Sequence, residues 1–178
     1  MKNAVLTSLA VTLFLSAGCA QQQGMEPLPA TTEARAELTD SGGRVLARAL
    51  ARDNAGRLTI NVEAEELPPG TYGAHVHALG RCDPPGFESA GPHWNPAERQ
   101  HGSQNPQGRH LGDLPNLLVG ADGQGSFEFT IPGATLSRGA RALLDRDGSA
   151  LVIHAAPDDY RTDPSGNSGA RIGCGAFR

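Results

Sequence analysis

Six histidines, His75, His77, His93, His101, His110 and His154, are the residues of this chain whose type and spacing could do chemistry. None falls in the first seventy residues. His75 and His77 are two apart in "GAHVHALGRC", so on a strand they share one face while Ala74, Val76 and Ala78 share the other. Either that face is wet or the rings converge on something. Imidazole is a preferred ligand for copper and zinc, and a carboxylate is an acceptable fourth ligand for zinc. In "HLGDLP", Asp113 follows His110 by three residues, so His93, His101, His110 and Asp113 can close a tetrahedral site of three nitrogens and one oxygen, the form of a zinc with no open position. His75, His77 and His154 then remain for a second ion, a sparse set for copper unless one loop histidine serves both ions through its two ring nitrogens. Taken singly, a strand histidine such as His154 is more often a hydrogen-bonded core or surface residue. The clustering of all six favours metal ligation.

The elements that must position these residues read as strands. "EARAELTD", "GRVLARALARD", "RLTINVEAEEL", "TYGAHVHAL", "GSFEFTIP", "SALVIHAA" and "ARIGCGAF" alternate or run apolar, with turn signals at "DSGG", "DNAG" and "LPPG". In the third, Leu58, Ile60, Val62 and Ala64 face one way and Arg57, Thr59, Asn61 and Glu63 the other. Phe127, Phe129 and Ile131 are expected to point inward. With 23 Gly, 13 Pro, 4% aromatic residues and no helical period of useful length, the chain reads as all-β, a sandwich or barrel with an aliphatic core. Residues 81–116 and 157–170 lack periodicity. A structureless connection of over thirty residues is unusual in a compact domain, and this one carries three histidines, which argues for function rather than disorder.

The net charge of −4 excludes a general nucleic-acid or polybasic membrane role. Lys2 is the only lysine among 15 positive charges, which reflects genome composition more than function. Residues 1–18 have the charge, apolar stretch and small-residue ending of an export signal. The ending "LSAGC" resembles a bacterial lipobox, with Ser16 a weak match, which implies that Cys19 bears lipid. Residues 19–33 then form a flexible tether and residues 34–178 one domain. Without Cys19, an exported chain retains Cys82 and Cys174, which should form one disulfide.

The stretches "HVH", "AGPHWNP", "HGSQNPQGRHLGDLPN", "LVIHAAPDDY" and "GNSGARIGCG" resemble, in this order, the copper/zinc superoxide dismutases, over residues 34–177. The spacings from His93 through His101 and His110 to Asp113 match the family's zinc loop without a gap, while His77 to His93 is about one residue longer than in many members. The resemblance implies a Greek-key β-sandwich or flattened barrel of about eight antiparallel strands, with a long metal-binding loop and an electrostatic loop. It implies copper held by His75, His77, His93 and His154 and zinc by His93, His101, His110 and Asp113, one of each per subunit, with His93 as the bridge. Asp158 matches the carboxylate that links His75 and His101, although its register against Asp159 stays open at this point. Arg171 matches the arginine that lines the copper channel and holds the anion, and Cys82 would anchor the long loop through Cys174.

The implied reaction converts superoxide to dioxygen and hydrogen peroxide by alternate reduction and reoxidation of copper, with His93 taking part, and protects the cell envelope. Superoxide is the expected small-molecule partner, with no nucleic acid, membrane contact only through the lipid, a homodimer left open, and a periplasmic location. One departure stands out: the electrostatic loop carries Asp158, Asp159, Arg161 and Asp163 and no lysine. Steering would then rest on Arg171, the metals and, secondarily, Arg161.

Overall fold

The computed structural model describes residues 32–178, so the expected export signal and Cys19 lie outside the described residues, as does all but the end of the expected tether. Nine strands follow one another: β1 (Glu33–Thr39), β2 (Val45–Asp53), β3 (Arg57–Ala64), β4 (Gly70–Tyr72), β5 (Ala74–His77), β6 (Leu117–Val119), β7 (Ser126–Pro132), β8 (Ala150–His154) and β9 (Arg171–Ala176). Seven of them form one curled antiparallel sheet in the order β5-β8-β9-β1-β2-β3-β7, and β4 pairs with β6 as a separate ribbon. The expected all-β, Greek-key fold is present. Two details differ from the strand pattern of the sequence. "TYGAHVHAL" divides at Gly73, its first part pairing with β6 and its second with β8. The short strand β6 lies where the alternation is too brief to read.

The tight turns follow the residues that predict them. Gly43 and Gly56 take positive φ at the ends of "DSGG" and "DNAG", a conformation open to glycine at little cost. Alternation then sorts the side chains. Leu58, Ile60 and Val62 on β3 are fully buried in one core with Ala36, Leu38, Ala49, Ala51, Leu117, Ile131, Leu151 and Ile153. The outer face of β1–β3 carries ion pairs such as Arg52–Glu33 at 2.8 Å and Arg48–Glu37 at 3.1 Å. These are exposed and contribute little to stability.

The run "ALVIH" of β8 is apolar throughout because both its faces are covered. Leu151 and Ile153 enter the main core, while Ala150 and Val152 pack against Phe87, Ala90 and Cys174. The same holds for β5, where Ala74 and Val76 face the core and His75 and His77, only 0% and 1% exposed, face a second dry layer. That layer is the long connection itself. It extends the sheet beyond β5: Val76 donates to the Gly112 carbonyl at 2.9 Å, Trp94 donates to the Val76 carbonyl at 2.8 Å, and Ala78 donates to the Pro92 carbonyl at 2.9 Å. Gly112 is required there, since a Cβ would stand 2.3 Å from the Val76 oxygen. The connection is therefore ordered by a free strand edge that its sequence alone does not reveal. Cys82 and Cys174 form the expected disulfide, with Cα atoms 5.6 Å apart and a sequence separation of 92.

Candidate metal centre

All six histidines converge. β5 presents His75 and His77, β8 ends with His154, and the loop packed on β5 supplies His93, His101, His110 and Asp113, all of them buried. The side chains form two groups that share His93: His75, His77, His93 and His154, and His93, His101, His110 and Asp113, with the donor atoms of each group within 4.8 Å of one another.

Four rings are aimed by the nitrogen they do not turn into their group. His75 Nε2 lies 2.8 Å from Asp158 Oδ2, His77 Nδ1 2.8 Å from the Gly91 carbonyl, His154 Nδ1 3.2 Å from the Gly169 carbonyl and His101 Nε2 2.9 Å from Asp158 Oδ1. The opposite nitrogens, His75 Nδ1, His77 Nε2, His93 Nε2, His101 Nδ1 and His154 Nε2, are buried without a hydrogen-bond partner among the described residues. A buried unpaired nitrogen costs about 1–3 kcal/mol, and several in one group call for a common partner. Four converge from His75, His77, His93 and His154, which suits a borderline cation that prefers imidazole.

In the second group, Asp113 Oδ1 lies 3.0 Å from His93 Nδ1, 3.0 Å from His101 Nδ1 and 3.1 Å from His110 Nδ1, and the His93 and His110 Nδ1 atoms are 3.3 Å apart. One carboxylate oxygen has two lone pairs and cannot take three ring N–H donors in good geometry. Edges of this length are instead those of a tetrahedron whose centre is about 1.9 Å from each corner, close to zinc–nitrogen and zinc–oxygen bond lengths of about 2.0 Å. Asp113 Oδ2 is fixed separately by the Gly102 and His110 amides at 2.9 and 3.0 Å.

The electrostatics agree with this division. Burial pushes His75 down to about 3, His77 to about 2 and His154 to about 4. These rings are thereby held neutral, the form that coordinates a cation. Burial also lowers His101, but the carboxylates of Asp113 and Asp158 on its two sides outweigh this and raise it to about 9. Burial alone would raise Asp113 and Asp158; their imidazole and amide donors prevail and hold both well below the usual carboxylate range.

Asp158, not Asp159, stands between His75 and His101. Asp159 turns to its own loop and accepts from the Arg161 amide at 2.9 Å and the Thr162 amide at 2.8 Å. Sequence reasoning missed Asn116, which clamps the Asp158 backbone at both ends: its Nδ2 donates to the Asp158 carbonyl at 3.0 Å and its Oδ1 accepts from the Asp158 amide at 2.8 Å. Asn116 closes the motif that contains three of the ligand candidates, and that proximity was its only signal. Gly166 is the other missed residue; at φ +63 it passes so close that a Cβ would meet Asp158 Oδ1 at 1.8 Å.

Arg171 is half-buried and donates from Nη1 to the Phe87 carbonyl and from Nη2 to the Gly91 carbonyl, both at 2.8 Å. The Gly91 carbonyl is also the one that receives His77 Nδ1, so the arginine and a candidate ligand are tied to one backbone atom. Arg161 is exposed and bonds Gln104 at 2.8 Å.

The family model described as "Copper/zinc superoxide dismutase (SODC)" matches residues 42–177. "Superoxide dismutase [Cu-Zn] 1" of Aquifex aeolicus is 43% identical over 146 residues, 80% of this chain and 86% of that protein. "Superoxide dismutase-like protein YojM" of Bacillus subtilis is 51% identical over 122 residues, 67% of this chain and 62% of that protein. The crystal structure of a SOD-like protein from Bacillus subtilis superposes with a TM-score of 0.75 at 43% identity, covering 80% of this chain and 96% of that one. Copper/zinc superoxide dismutase from Brucella abortus gives 0.64 at 28% identity, over 82% and 99%. With both histidine groups complete, the chain belongs to the copper/zinc superoxide dismutase family, enzymes that dismutate superoxide with copper and zinc.

Proposed function

We propose that this chain dismutates superoxide in the cell envelope, with His75, His77, His93 and His154 as copper ligands and His93, His101, His110 and Asp113 as zinc ligands. The observation that supports this most is the set of five unpaired buried imidazole nitrogens, distributed over two groups that share His93. When bound, copper supplies a one-electron couple that superoxide can both reduce and reoxidise, and zinc supplies a fixed, redox-silent charge. The net reaction consumes two superoxide ions and two protons and yields one dioxygen and one hydrogen peroxide.

The chain's own residues do the rest. His75 and His101 are oriented by the two oxygens of Asp158, so one carboxylate sets ring direction on both metals at once. His93 uses Nε2 toward one group and Nδ1 toward the other. Nε2 is therefore the atom at which His93 can take up and return a proton without losing its hold on the zinc side. Arg171 has five guanidinium donors, and two of them are spent on carbonyls. Its charge acts on both His77 and His154, which places a fixed cation beside the copper group to receive an anion. The envelope assignment rests on the export-signal pattern of residues 1–18 and on Cys19 as lipid bearer.

The test is metal analysis of the protein isolated from the envelope, together with a superoxide assay before and after chelation. One copper and one zinc per chain, with activity lost on chelation and regained on reloading, is the expected result. Both metals bound without activity would instead favour a metal-holding protein, a reading in keeping with the "dismutase-like" name of the Bacillus subtilis relative. Mass spectrometry of the mature amino terminus checks for lipid on Cys19.

A further inference from the structure

Arg109 stands apart from the metal chemistry. Its guanidinium carbon lies 4.5 Å from the centre of the Phe129 ring, in contact range for a cation over an aromatic face. The side chain is half-buried, and among the described residues no hydrogen bond or ion pair satisfies it; Asp113 acts on it through charge alone. It borders a cavity of about 270 Å³ whose other walls include Ser103, Leu114, Pro115, Phe129 and Tyr160. That is near the lower end of small-molecule sites, about 300–1,000 Å³.

The polar groups here are donors. Tyr160 accepts from the Asn116 amide at 2.8 Å through its hydroxyl oxygen, which leaves its own proton to give. Ser103 is exposed, and its hydroxyl has no hydrogen-bond partner among the described residues. Asp113 is the one acid on the cavity, and both its oxygens are engaged, one by the His93, His101 and His110 rings and one by the Gly102 and His110 amides. A guanidinium and two hydroxyls lining a cavity together with Leu114, Pro115 and Phe129 suit a planar anion with an apolar body. An inorganic oxyanion would leave its remaining oxygens against those apolar walls, unpaired. We propose that the cavity beside Arg109 is a binding site for a small organic carboxylate, paired with the Arg109 guanidinium and covered by the Phe129 side. None of the six histidines lines the cavity, and Asp113, the one candidate metal ligand that does, has both oxygens turned to its own group.

The experiment titrates benzoate into the metal-loaded protein by calorimetry, with benzamide as the neutral twin and inorganic phosphate as the apolar-free anion. Saturable benzoate binding, with benzamide and phosphate each about tenfold weaker or more, is expected from the loss of a charge-assisted pair or of the apolar contact. Arg109→Gln should weaken benzoate by about tenfold or more, while Arg146→Gln, at a side chain 94% exposed, should not. No saturation, or benzamide or phosphate binding as well as benzoate, overturns the proposal. Where Arg109→Gln does not fold, the Arg109 Nε–H resonance of the reduced, metal-loaded wild-type protein decides. It should move with benzoate concentration, and a signal that stays fixed while benzoate binds overturns the assignment.

Discussion

Asp158 is the residue on which the most geometry depends, because its two oxygens aim one ring from each metal group. An asparagine there offers one acceptor and, on its other side, an NH₂ that faces a ring N–H. Asp158→Asn should therefore lower the affinity for copper and for zinc together, by about 10–100-fold. Chelator competition measures this, and a loss confined to one metal would show that the residue serves only one site. Arg171 acts differently, through charge offered to the substrate. Arg171→Ala should reduce the second-order rate of dismutation by about tenfold, and Arg161→Ala by no more than about twofold, since Arg161 is exposed and bonds Gln104. Pulse radiolysis gives both rates; equal values would remove Arg171 from its role. The sequence singled out His75, His77, His93, His101, His110, His154, Asp113, Asp158 and Arg171, because imidazole clusters and a multi-residue motif are visible in one dimension. It did not single out Asn116 or Gly166, whose roles arise only where the loop at 158–166 crosses the loop ending at 116.

The sheet is held in shape by its turns as well as its alternation. Asp53 closes β2, accepts from the Gly56 amide at 2.8 Å in the β2–β3 turn, and reaches across to the Leu136 amide at 2.9 Å. The Leu136 and Gly56 bonds together outweigh burial and lower the Asp53 pKa. A carboxylate with a depressed folded pKa contributes stability that is present above its unfolded value of about 3.9 and is lost as pH falls through the folded one. Asp53→Asn should cost about 1–3 kcal/mol at pH 7 and flatten the acid limb of the stability curve. Urea unfolding of metal-free wild-type and variant proteins between pH 7 and 3 checks this, since the difference between the two curves isolates Asp53. A constant difference across that range would mean the carboxylate charge is not involved. At this scale the strands of "RLTINVEA" and "ALVIH" were legible from their patterns. The division at Gly73 was not, because a strand that changes partners keeps its alternation.

Across the whole molecule, the disulfide joins the start of the metal loop to the last strand. Chain-entropy reasoning for a sequence separation of 92 gives about 4–5 kcal/mol. Cys82→Ser should lose about that much by urea unfolding. It should also slow dismutation, because the segment after Cys82 carries the Phe87 and Gly91 carbonyls that hold Arg171. Unchanged activity with lowered stability would separate the two effects. The sequence by itself determined the all-β class, the strand faces, the disulfide partners and the identity of the histidines, since each is carried by local alternation, residue type or a contiguous motif. The tertiary structure alone decided that the face of His75 and His77 is dry, that the long connection pairs with the open edge of β5, and that Asp158 rather than Asp159 lies between the rings. It alone also placed Arg109 over Phe129 with no hydrogen-bond or ion-pair partner among the described residues. Each of these depends on which surfaces meet after the sheet curls, and a contact between residues about fifteen to eighty positions apart has no signature in the order of the chain.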